Sequence, residues 1–226
     1  DHTKNSGYLD ALLSTRIRHG YALYILDDVT GTVDSIPLIA SSIMSKKLAS
    51  GTDYIVLDVK VGSGAFMKNV DEATILAKTM VELGKKANRP TIATLTNMEQ
   101  PLGCAVGNAL EVIEAIDTLK GKGPKDFTEL CIDLTTEILV IAGVAQNEEE
   151  GKEMVVSAMH DGRGLNKLKE MVKWQHGDES AIDDYSLLPT AQEVIDLVFE
   201  GNETAFISHI DALQIGEAAM LLGAGR

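Results

Sequence analysis

A hydroxyl and an ammonium stand four residues apart at Ser42 and Lys46, in the stretch Ser42-Ile43-Met44-Ser45-Lys46, where helical spacing lets both reach one ligand. A serine hydroxyl donates and accepts hydrogen bonds, and a lysine ammonium is a compact charge, so the pair suits the polar edge of a planar molecule. The same spacing also fits a solvated helix surface, and spacing alone does not choose between the two.

The helix that must carry the pair is well bounded. Ser35 is placed to cap it, Pro37 falls in the first turn where its missing amide has no partner to lose, and Gly51 can end it in a left-handed conformation. Ile36, Ile39 and Ile43 recur at helical spacing as its apolar side. Tyr54 to Val59 follows as a short aliphatic strand, of the kind covered on both faces. Gly62-Ser63-Gly64 comes directly after it, at the edge where open α/β sheets place their ligands. The loop is too short for a dinucleotide or phosphate-loop fingerprint and reads as a tight connection lining a cleft. Asn69 and Glu72 form a capping-box-like start to a helix running to near Gly84, and Thr91 to Leu95 supplies the next strand. Strand, helix, strand in that order predicts a parallel crossover and an α/β fold.

Four more helices are predicted downstream: Val106 to Leu119 ended by Gly121, Asp126 to Ile141 ended by Gly143, Glu148 to Met159, and Asn166 to Trp174. Glu193 to Phe199 and Ala205 to Ile210 flank Gly201-Asn202-Glu203 and read as a β-hairpin, after which Asp211 caps a last helix reaching Leu222. The expected organisation is a divergent segment over 1–23, an α/β body over 24–180, and a hairpin-helix segment over 181–226. With only two strands predicted the sheet is incomplete, so exposed apolar surface is expected.

Bulk properties narrow the classes. In 226 residues, 45% hydrophobic and 24% charged, there is material for a packed core and little case for disorder. A formal net charge of −14 with no dense basic block argues against nucleic acid as a partner. No run of about 18 apolar residues occurs, so a membrane span is not expected. Cys104 and Cys131 lack metal-site spacing and read as free thiols in a reducing cytoplasm. His2, His19, His160, His176 and His209 read as surface or cap residues.

The literal strings say more. Asp28-Val29-Thr30, Thr32 to Ile39, Ser42-Ile43 and Ser45-Lys46-Lys47 form the first block. Val56 to Lys60, Gly62 to Met67, Gln100 to Gly103, Val106 to Val112 and Leu222 to Arg226 continue it. From about Tyr24 onward the chain resembles the pyrimidine-nucleoside phosphorylase and thymidine phosphorylase family. The resemblance implies a pentosyltransferase of pyrimidine salvage, cytoplasmic, that uses phosphate as co-substrate to give free base and a pentose 1-phosphate. In such a reaction an oxocarbenium-like centre develops at C1′ while negative charge grows on the pyrimidine, so donors at the base accelerate it. By this resemblance Ser42, Lys46 and Tyr24 contact the pyrimidine base, with Lys46 facing the charge that arrives on a carbonyl oxygen.

Two departures from the family stand out. Asp27 occupies the place of an arginine, and loss of one donor to a developing anion costs on the order of 100- to 1,000-fold in rate. The family's Lys-His-Ser phosphate segment and its helical homodimerisation region lie upstream of the resemblance, with no counterpart in this chain. The chain is thus expected to be the middle of a longer enzyme. The alternative is a catalytically inert fragment or paralogue that acts as a binding or assembly module.

The resemblance also implies a potassium-like ion held by the carbonyls of Leu102 and Ala105 and by Glu114. Gln100 to Gly107 reads independently as irregular backbone leading into the helix that carries Glu114, and a hard, weakly charged cation suits such oxygen ligands. Glu114 also fits a solvated helix position.

Overall fold

The structure is a computed structural model that describes residues 35–201 and 204–224. Their elements, in chain order, are α1 Ile36–Ala49, β1 Ile55–Val61, α2 Val70–Lys86, β2 Thr91–Asn97 and α3 Asn108–Leu119, followed by α4 Lys125–Ile141, α5 Glu148–His160, α6 Arg163–Trp174 and α7 Ala212–Leu221. Short 3-10 turns at Glu179–Ile182 and Tyr185–Leu187 precede α7. Two compact units emerge. The first holds the described residues up to Val61 together with Phe66–Asn97 and Ile141–Gly143, and the second holds Gly62–Ala65, Met98–Val140 and the described residues from Val144 onward.

In the first unit β1 and β2 run parallel, with Ile55 opposite Thr91 and Val61 opposite Asn97. This is the α/β arrangement that the strand-helix-strand order predicts, with both strands running two residues further than their aliphatic cores suggest. Period-two alternation buries Ile55, Leu57 and Val59 against Ala73, Leu76, Ala77 and Met80 of α2 and Ala40 and Met44 of α1. The expectation of a strand covered on both faces is corrected here. One face is core, while the other bears Asp58 and Lys60, because among the described residues the sheet has two strands with α1 and α2 packed on a single side.

Local chemistry sets most boundaries. Asn69 accepts the Glu72 N–H at 2.9 Å and so starts α2, and Asn147 accepts the Glu150 N–H at 2.9 Å at the start of α5. Gly51, Gly121 and Gly143 all take positive φ where α1, α3 and α4 stop. Ser35 is the exception. It holds the extended N-cap conformation, yet its hydroxyl makes no capping bond. A cap accepts from the second or third helical N–H, and Pro37 at the second position has none to give.

The second unit is helical, with α5 and α6 adjacent and α6 packed on the Glu179–Ile182 turn. A half-buried polar knot ties that turn region to α3: Tyr185 donates to Asp117 Oδ1 at 2.6 Å, and Lys120 donates to Tyr185 OH at 3.1 Å and to the Ile182 carbonyl at 2.8 Å. The β-hairpin expected near 193–210 is not formed by the described residues, which are irregular on both arms, and Asn202 and Glu203 of its turn lie outside them. The apolar side chains of the arms stand in water instead: Leu197 is 97% exposed and Phe206 91%. Strand-forming residues become strands only when a ladder partner supplies the backbone hydrogen bonds, and none of the described residues does so here. Apolar surface is thus exposed on these arms, away from the sheet edges where it was expected.

Candidate functional site

Ser42 and Lys46 lie on α1 as the helical spacing requires. Ala40 and Met44, four apart, are fully buried, and Ile36, Ile39, Ile43 and Leu48 pack around them in part. The isoleucine row is thus the shoulder of the buried side, and a small residue and a flexible one occupy its centre. Ser42 is half-buried and Lys46 exposed. Ser45 Oγ donates back to the Ser42 carbonyl at 3.1 Å, an intrahelical bond that leaves the Ser42 hydroxyl unused by that contact. Tyr24 and Asp27 lie outside the described residues.

On the outer face of the sheet in the same unit is a cluster that the spacing argument did not single out. Thr96 Oγ1 donates to Asp58 Oδ1. Lys60 Nζ, sealed from solvent, sits 2.7 Å from Asp58 Oδ2 with no directed hydrogen bond among the described residues, so the contact is an ion pair off the hydrogen-bond axis. The signal for it was the period-two spacing of Asp58 and Lys60, which puts both on one face.

The Gly62-Ser63-Gly64 loop, in the second unit, is a tight connection as expected. Ala65 N–H closes on the Gly62 carbonyl at 3.0 Å. The loop is bound to the turn after β2: Ser63 N–H donates to Glu99 Oε2 at 3.1 Å, and Gly64 N–H donates to the Met98 carbonyl at 3.1 Å. Gly62 takes φ +139°, and a Cβ there would fall 2.6 Å from Glu99 N, so backbone meets backbone where only glycine fits.

The stretch 100–107 is irregular backbone, and its partner is Glu114. Glu114 Oε2 accepts the N–H of Cys104 at 2.8 Å and of Ala105 at 2.9 Å, while Asp126 Oδ2 accepts the N–H of Gly103 at 3.0 Å. Sequence reasoning missed Asp126, whose only signal was an acidic residue in the first turn of a helix. Ala105 and Glu114 are brought together in this way, and Leu102 stands beside Gly103 on the same loop. The Leu102 and Ala105 carbonyls accept no backbone hydrogen bond among the described residues, and the two amides occupy only Oε2 of the carboxylate. Carbonyl and carboxylate oxygens are the ligand types of a hard cation and not those that zinc prefers. Among the described residues no group of three His, Cys, Asp or Glu side chains is placed to hold a metal, so any cation reading rests on these carbonyls.

Residues 13–165 fit the model of the glycosyl transferase family, a/b domain, and the chain belongs to that family. Within it, the chain is 54% identical over 204 residues to the pyrimidine-nucleoside phosphorylase of Geobacillus stearothermophilus, covering 90% of this chain and 47% of the relative. It is 52% identical over the same length and shares to the pyrimidine-nucleoside phosphorylases of Staphylococcus aureus and Staphylococcus epidermidis. The motif resemblance is thus shown to hold along most of the chain, which spans about half the length of the curated relatives it matches. No helix among the described residues is long and apolar enough to cross a membrane.

Proposed function

We propose that the chain serves phosphorolysis of pyrimidine nucleosides, in which uridine, thymidine or deoxyuridine reacts with phosphate to give free base and pentose 1-phosphate. The C1′–N1 bond breaks, its electron pair leaves with the pyrimidine, and a phosphate oxygen bonds to C1′. One observation carries this reading: Ser42 and Lys46, accessible on α1, fall within the span matched to relatives named pyrimidine-nucleoside phosphorylase. Lys46 would meet the negative charge arriving on a pyrimidine carbonyl, Ser42 would fix the edge of the ring, and Tyr24 would complete the base contacts. Leu102 and Ala105 carbonyls with Glu114 would hold a potassium-like cation, whose role is to neutralise charge and fix the 100–107 backbone. Cys104, which is exposed, and Cys131 as thiols suit a reducing cytoplasm.

The test is phosphate-dependent release of uracil or thymine by the purified chain. Lys46→Ala should lower the rate by at least about 100-fold, the scale of one lost donor to a developing anion, while the neighbouring Lys47→Ala leaves it unchanged. Equal rates in all three proteins, or no release from wild type, would overturn the proposal. Asp27, in place of the family's arginine, favours a second reading as a binding or assembly module. Retained binding of uracil without release would select it.

A further inference from the structure

The last helix touches two of the motif loops, one at each end. At its start Asp211 accepts the N–H groups of Leu213 at 2.9 Å and Gln214 at 3.1 Å, which fixes the first turn of α7. The next residue, Ala212, is the buried residue of this helix. Its methyl lies against Gly64, where an added Cβ would come 2.7 Å from Ala212 Cβ. At the other end the chain turns at Gly223, with φ +88°, and Ala224 N–H closes on the Ala219 carbonyl at 2.9 Å. That turn lays Ala224 on Gly107, where an added Cβ would come 2.5 Å from Ala224 Cβ. Gly107 is itself fixed, because it is the N-cap of α3 and donates to Glu111 Oε1 at 2.9 Å.

We propose that α7 is a strut that sets the Gly62-Ser63-Gly64 loop at a fixed distance from the amino terminus of α3, with Ala212 and Ala224 as its positioning residues. The ten residues of α7 span about 15 Å at the helical rise, and a helix transmits a push along its axis because every turn is hydrogen-bonded to the next. Both contacts are methyl against glycine with no space for another atom, so a displacement at one end has no void to absorb it. The inference rests on the phosphorolysis reading only in calling these loops part of a site. It names what positions them, and its test does not read activity.

The test is hydrogen-exchange mass spectrometry on the whole chain. Every amide that matters has a named acceptor: Ser63, Gly64 and Ala65 on one side, Gly103, Cys104, Ala105 and Gly107 on the other. Ala212→Leu should speed exchange about tenfold at 63–65 and also at 103–107, and Ala224→Val should do the same from the opposite end. Ala218→Leu, on the exposed side of α7, should change neither set. Should Ala212→Leu fail to fold, Ala212→Gly removes the contact without a clash and should show the same two-ended pattern more weakly. Exchange that rises only beside the substituted residue, in each variant, would reduce the helix to two unconnected contacts and overturn the proposal. A chain without phosphorolysis but with two-ended exchange would sink the proposed function and leave the strut standing.

Discussion

Ala105 donates its backbone N–H to Glu114 Oε2 at 2.9 Å, across nine positions of sequence, so a helical carboxylate holds an irregular loop in place. Cys104 makes the same contact at 2.8 Å. Glu114→Ala should leave both donors unmet and destabilise the chain by about 1–3 kcal/mol, read from denaturant midpoints. Glu114→Gln keeps an accepting oxygen and should cost less. Potassium at constant ionic strength should raise the thermal midpoint of wild type and not of Glu114→Gln, because an ion bound only to the native state stabilises it by mass action. Equal midpoints at all potassium concentrations would rule out the cation site.

Gly103 faces that same carboxylate. It takes φ +72°, and an added Cβ would come 2.2 Å from Glu114 Oε1, whereas Gly121 takes φ +75° with open space around it. Gly121→Ala should therefore lose only the conformational preference, about 1–2 kcal/mol. Gly103→Ala should lose that and displace Glu114 as well, so its denaturant midpoint should fall below that of Gly121→Ala. Equal losses would show that the carboxylate moves aside freely.

The knot at Tyr185 makes a pH-dependent contribution. Burial, and then the hydrogen bond to Asp117 and the charge of its carboxylate, push the Tyr185 hydroxyl from 10.0 up to about 12. A pKa raised on folding means that the neutral phenol is favoured in the native state. Its contribution is complete below about pH 10 and declines as pH rises toward about 12, where the phenol ionises even when folded. Tyr185→Phe should be less stable than wild type at pH 8, and the difference should shrink between pH 10 and 12. A difference independent of pH across that window would contradict the assignment.

How much of this was legible in the sequence depends on how local each cause is. The α2 start at Asn69 and the α1 stop at Gly51 follow from side chains and φ angles a few residues apart, and both fell where the sequence puts them. Ser35 makes no cap bond through an equally local cause, Pro37, which fits the first turn but removes the donor that a cap would meet. The arms at 193–199 and 205–210 carry strand residues, but strand formation depends on a partner, which composition does not specify. The contacts of Gly64 with Ala212 and Gly107 with Ala224 were invisible for a different reason. Each glycine announces a close approach without saying to what, and its partner lies more than 100 residues along the chain. The placement of Ser42 and Lys46 one turn apart on α1 was legible because that relation is local.

The most direct measurement of the central claim is phosphorus NMR of the purified chain with uridine or thymidine and inorganic phosphate. Phosphorolysis requires a pentose 1-phosphate resonance to grow in equal amount with free base, at the expense of inorganic phosphate. Free base without pentose 1-phosphate, or neither product, would contradict it.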